Sequence, residues 1–304
     1  MTSVVTQADR ARCHGPTTGG GQIPPDGTLA RMRRHVIAIG AAAAAVLAGC
    51  GSSSPRPSDL APKDVLLSAA HLASGTSLRM AMSVDETFTI TGNATPALAS
   101  LSGQSVTLTM QLDAQNSQQA RGTLAFNLGG QSTQVVTVVY GGAVYVSKDK
   151  GASFESVPLN GLPTTQYGPD NALQYLESVS TVTDNGPGTA DGVAVERYHA
   201  QLDGAKVLNV IKSAMSSLQS SSFQRVFSSL RFTGGALDAS IDHSGRIVHE
   251  TGLMDAALDL GLIDPSASGA TMSIHMNVDA RFYDYGATIT VTRPSNVTGT
   301  LKLP

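Results

Sequence analysis

Few positions in this chain of 304 residues have the types and spacings that do chemistry. Ser147-Lys148-Asp149-Lys150 fits the S-x-x-K pattern of penicillin-recognising enzymes, which needs a helix start to bring serine and lysine together. Here the four residues end a strand-like run and lead into Gly151, so they read as a polar turn. His243 and His249, with Asp242 and Glu250 beside them, flank a hairpin, and opposite ends of a tight turn seldom converge as zinc ligands. His275 with Met272 and Met276 has the side chains of a copper site, but strand alternation sends His275 to the face opposite both. Cys13-His14 is one ligand pair in a stretch with no apolar period. No G-x-S-x-G, H-E-x-x-H, Walker loop or dinucleotide fingerprint occurs, and the expectation is a protein that is not an enzyme and holds no metal.

One position does specify a reaction. Cys50 ends the run VIAIGAAAAAVLAG, which is preceded by the basic start Met32-Arg33-Arg34-His35 and followed by SSSPRPS. That is the layout of a bacterial export signal. The apolar run, Val36 to Gly49, is 14 residues long, short of the roughly 20 that span a bilayer. Leu47-Ala48-Gly49-Cys50 looks like a lipobox, in which the thiol receives a diacylglycerol before cleavage. The expected divisions are an upstream extension at 1–31, a signal at 32–49, a flexible tether at 50–62 and one domain at 63–304. The diacylglycerol on Cys50 is the one covalent group expected; no other cofactor is.

The first 49 residues hold five Arg and two Asp, so the 255 residues from Cys50 on carry 15 basic and 21 acidic side chains, a net charge of −6. No basic stripe or aromatic stacking platform suggests nucleic acid, and no polybasic patch suggests anionic lipid headgroups. From Cys50 on there is no second cysteine, and a chain of that length can bury enough apolar surface without a disulfide.

The elements that would position a site change period along the chain. Lys63 to Ala73 reads as a helix opened by Pro62, with Val65, Leu66, Ala69 and Leu72 on one face. RMAMSVDETFTI then alternates, with Met80, Met82, Val84, Phe88 and Ile90 on one side. SVTLTMQLD repeats this with Val106, Leu108, Met110 and Leu112. GTLAFNL and QVVTVVYGGAVYVSKDKG continue as strands, the latter a hairpin folded at Gly141-Gly142. NALQYLESVS, including Val179, and the insert from Ala205 to Leu230 read as helices. GVAVERYHAQLD, a hairpin turning at His243-Ser244-Gly245, ATMSIHMNVDARF and GATITVTRP complete ten or eleven strands. A sheet with one apolar face must cover it. The expectation is an α+β fold, a strongly curved antiparallel half-barrel around a small helical plug.

The order of YGGAVYVSKDKGASFESVPL, ADGVAVERYHAQLDGAKV, SIDHSGRIVHE and FYDYGATITVTRP behind a lipobox resembles the LppX/LprG-type lipoproteins of actinobacteria, whose fold is like that of the lipoprotein carrier LolA. The similarity runs from Cys50 to about Pro294. Phe154 stands where many relatives carry Trp, and this chain has no Trp. The resemblance implies an open half-barrel that holds acyl chains between sheet and helices and moves or presents lipids in the cell envelope. The protein would be a monomer on the outer face of the cell membrane, its partners an acylated lipid or glycolipid and an envelope transporter, with no nucleic acid.

Mid-strand residues on the apolar side give the expected cavity lining: Met82, Val84, Phe88, Leu108, Met110, Phe126, Val138, Ile274 and Met276. Flexible thioethers among them suit chains of variable length. Ala205 to Leu230, two apolar stripes joined by SSLQSSS, would be a movable cover. The competing reading is a tethered interaction or sensor domain whose interior is a filled core.

Overall fold

The computed structural model describes residues 60–116, 118–128, 130–157, 178–215, 228–262 and 264–300, with 210–215 described as backbone alone. Cys50, the signal, the tether and the serine-rich joint at 216–222 lie outside the described residues.

The chain opens with helix α1, Pro62–Gly75. Pro62 stands in its first turn, where a missing N–H costs nothing, and Val65, Leu66, Ala69, Ala70 and Ala73 form its buried stripe. Thereafter the chain is mostly strand: β1 (Leu78–Thr91), β2 (Ser105–Asn116), β3 (Gln119–Leu128), β4 (Gln131–Tyr140), β5 (Ala143–Ser147), β6 (Phe154–Val157), β7 (Val179–Ala190), β8 (Val193–Leu202), β9 (Leu230–Asp242), β10 (Ile247–Asp259), β11 (Thr271–Tyr283) and β12 (Val297–Thr300). A short helix α2, Pro96–Ala99, joins β1 to β2, and α3, Gly204–Met215, follows β8.

All twelve described strands form one sheet in the order β12-β6-β5-β4-β3-β2-β1-β11-β10-β9-β8-β7. It is curved and unclosed, with β12 and β7 at its edges. A flat sheet would hold β2 and β7 about 29 Å apart, six ladder steps of roughly 4.8 Å. Here Leu108 of β2 and Val179 of β7 join one core cluster with the buried stripe of α1. The half-barrel architecture is as expected.

The turns follow their sequences. Gly141 and Gly142 link β4 to β5 with φ of 58° and 76°, the paired left-handed conformation of a two-residue hairpin loop. At the β9–β10 turn the Asp242 carboxylate accepts from the backbone N–H of Ser244 at 2.8 Å and of Arg246 at 3.0 Å, and from Arg246 Nε at 2.8 Å. Those bonds hold the Asp242 carboxyl below its ordinary value although burial pushes the other way.

Three assignments are corrected and one strand is added. Val179 opens strand β7, and Leu230 opens β9; neither is helical. Residues 180–190 form a strand that polar and Gly-Pro composition conceals: β7 is an edge strand, where Pro187 interrupts no central ladder, and its pairing shifts register between Asp184 and Pro187. GATITVTRP joins no ladder although its residues alternate. Instead it brings Ile289 and Val291 against Val136, Val138, Tyr145 and Phe154, with Val291 N–H donating to Gln115 at 2.9 Å and Arg293 Nε to the Tyr145 hydroxyl at 3.0 Å. After it, β12 pairs with β6 in parallel, the one departure from antiparallel order among the described strands.

Candidate functional site: the inner face of the sheet

Register assigns every strand residue to one face, because directly paired residues share a side. Met82 pairs with Met110, Met110 with Leu124, and Leu124 with Val135; Val84 pairs with Leu108, and Leu108 with Phe126. Across the other edge of β1, Phe88 pairs with Ile274 and Glu86 with Met276. One apolar surface therefore runs from β4 to β11 and includes Met82, Val84, Phe88, Leu108, Met110, Phe126, Ile274 and Met276, eight of the nine expected lining residues. The stripe of α1 packs on this inner face.

Val138 is the exception. It pairs with Arg121, and Arg121 with Asp113, which places it on the outer face. There it is buried beneath Ile289 and Val291. It does not share a face with Met82 and Met110. The run QVVTVV is apolar at both parities, and the physical reason is that β4 is covered on both sides.

The inner face is not uniformly closed. Near α1 it is densely buried, with Met80 and Val84 fully enclosed. Toward β3 and β4 it opens: Met110, Leu112, Leu124 and Phe126 pack on the core yet remain half-buried, as does Val135. A second buried cluster, around Phe88, Leu98, Val106, Leu258, Leu260, Met272 and Ile274, fills the far end.

Two acids interrupt this surface. Glu86 alternates onto it between Val84 and Phe88, and is 4 % exposed. Glu250 pairs with Ala280, which pairs with Met82, so it faces the same way and is 6 % exposed. Among the described residues, Glu86 Oε1 and Glu250 Oε2 have no hydrogen-bond partner. Burial pushes the Glu86 carboxyl up to about 7 and that of Glu250 up to about 8. At neutral pH Glu250 is therefore mostly and Glu86 about half un-ionised, and the un-ionised form can donate a proton into an apolar interior. The alternation of RMAMSVDETFTI was the signal for Glu86, since the even positions that gather its apolar residues include 86.

The outer face is polar and paired. His199 meets Asp238 at 2.8 Å, His275 meets Asp255 at 2.7 Å, and His249 meets Asp279 at 3.2 Å, all across strands. His275 thus stands opposite Met272 and Met276, as alternation requires. A groove of 360 Å³ on this face is bordered by polar or small side chains including Ser83, Thr109, Gln111, Gln134, Asp279 and Arg281. Ser147 and Lys150 form no catalytic pair: the Ser147 hydroxyl donates to Asp149 and accepts from the Gly151 N–H, and Lys150 has the positive φ of a turn residue. Among the described residues no three His, Cys, Asp or Glu side chains converge on a metal site.

Fold and face together define an open, curved sheet with an apolar concave surface. Among solved structures, the chain is similar to the lipoprotein LppX of Mycobacterium tuberculosis (14% identity over 69% of this chain and 89% of that one, TM-score 0.33). It is likewise similar to LprF of Mycobacterium bovis (16%, 80% and 99%, TM-score 0.37) and to a putative outer membrane lipoprotein-sorting protein domain of Vibrio parahaemolyticus (8%, 67% and 85%, TM-score 0.23). No family model and no curated protein matches the chain.

Proposed function

We propose that this chain is a membrane-anchored lipoprotein that binds acylated lipids or glycolipids along the inner face of its sheet and carries or presents them within the cell envelope. It works as a monomeric binding protein rather than an enzyme, held on the outer face of the cell membrane by diacylglycerol on Cys50, and exchanges its cargo with an envelope transporter. The observation that carries the reading is the half-buried stretch formed by Met110, Leu112, Leu124, Phe126 and Val135, which continues an otherwise closed core. Each CH₂ withdrawn from water there contributes about 0.8 kcal/mol, so a chain of about fourteen carbons gains on the order of 10 kcal/mol before ordering costs.

The tightly filled region under α1 favours the second reading, a tethered interaction or sensor domain without a lipid ligand. Organic extraction of the purified protein separates the two. Recovered acyl lipid at a defined stoichiometry supports the carrier; a lipid-free extract from protein that also takes up none supports the filled core.

A further inference from the structure

We infer that Glu86 is the polar anchor of the interior, its carboxyl hydrogen-bonding an ester carbonyl of an acylated glycerolipid whose chains lie along the inner face; this rests on the carrier reading. Alternation along β1 sends Glu86 inward, and register sets it between Val106 of β2 and Met276 of β11. Its neighbours on its own strand are Val84 and Phe88, and its diagonal neighbours are Leu108 and Ile274. All six are apolar. Val84, Leu108 and Met276 belong to the core under α1, whereas Phe88, Val106 and Ile274 belong to the second cluster, so Glu86 marks the seam between the two.

A buried hydrogen-bonding atom without a partner is costly to fold, and among the described residues Glu86 Oε1 has none. A ligand entering the seam would satisfy it. The surroundings select the ligand group. With its carboxyl pushed up to about 7 by burial alone, Glu86 is about half un-ionised at neutral pH and mostly so below it, and that form has an O–H to donate. A hydrocarbon chain cannot accept that proton, and an ester carbonyl can. An anionic phosphate would need a cation, and none of the six inner-face neighbours supplies one.

The test uses the full chain, stripped of lipid, and equilibrium binding of radiolabelled dioleoylglycerol against its dioleyl ether analogue, which keeps the chains and lacks the carbonyls. The wild type should bind the ester about tenfold more tightly than the ether, a difference of about 1.4 kcal/mol. Glu86→Leu should bind both with the affinity of the ether, Glu86→Gln should keep part of the preference because an amide still donates, and Glu250→Leu should keep all of it. A Glu86→Leu protein that retains the ester preference overturns the assignment, as does a wild type with no preference or loss of the preference in Glu250→Leu instead. Binding of neither lipid by the wild type overturns the carrier reading itself. Should Glu86→Leu not fold, the wild-type preference measured against pH decides: it should fade as pH rises above about 7 and the donor is lost, and persistence to pH 9 contradicts the proposal.

Discussion

Glu86 stands directly opposite Met276 in the β1–β11 ladder, a carboxyl and a thioether paired on the inner face of the sheet, both nearly excluded from water. No charged residue occupies the neighbouring inner-face positions Val84, Phe88, Val106, Leu108 and Ile274. The pair has a consequence for stability that is independent of any ligand.

Both interior acids have folded-state pKa values raised above their ordinary 4.5, to about 7 for Glu86 and about 8 for Glu250. The stability associated with burying the neutral form is fully present below pH 4.5 and is lost as pH rises through those values. For Glu86 the loss is on the order of 3 kcal/mol. Glu86→Gln should therefore flatten the fall in stability between pH 5 and pH 8 and leave a more stable protein at the alkaline end. Denaturant midpoints across that range provide the measurement, and a wild type whose midpoint rises toward pH 8 contradicts the burial of these groups in neutral form.

Val138 and Phe126 lie on opposite faces, and their substitution should separate folding from binding. Val138→Ala removes packing beneath Ile289 and Val291 and should cost about 1–3 kcal/mol with lipid uptake unchanged. Phe126→Ser alters the half-buried inner surface and should reduce uptake severalfold at a smaller stability cost than Met80→Ala, which empties a fully enclosed site at about 2–5 kcal/mol. Parallel melting curves and uptake assays check this; uptake lost in Val138→Ala but kept in Phe126→Ser would invert the assignment of faces.

Why the sequence misplaces Val138 but groups the other eight residues correctly is a matter of what alternation contains. Within β1 and β2 every second residue except Ala81 is polar, so the apolar set, interrupted by Glu86, stands out; within β4, Val135, Val136, Val138 and Val139 are apolar at both parities. Only the pairing of Leu124 with Val135 decides which valines face inward. GATITVTRP misleads for a related reason: alternation records that one side is buried, which an extended strap crossing a sheet satisfies as well as a paired strand. β7 is concealed because an edge strand tolerates Asn185, Gly186 and Pro187 that a central strand would not. Glu86 was legible by position, and its role depends on burial that one strand cannot reveal.

Cys50 is the sole cysteine after Cys13, and the thiol is the expected site of diacylglycerol attachment. Cys50→Ala should abolish incorporation of a metabolically labelled fatty acid and leave the protein uncleaved or released without detergent. Unchanged labelling would end the anchor reading.

Residues 1–31 precede the proposed signal and carry no apolar period, so a gene starting at Met32 should be exported and lipidated like the full chain. Loss of membrane-associated protein on their removal, followed by immunoblot of fractionated cells, would assign them a role in export.

The central claim is that the inner face holds lipid, and native mass spectrometry of the protein purified from membranes in mild detergent tests it most directly. After any covalent mass on Cys50 is accounted for, the carrier reading predicts a further noncovalent mass in the range of an acylated glycerolipid. That mass should be released by organic solvent, recovered in the extract and restored by adding lipid back. A single unliganded species that stays unliganded when lipid is supplied would contradict the account and leave the sheet as the filled core of a tethered interaction domain.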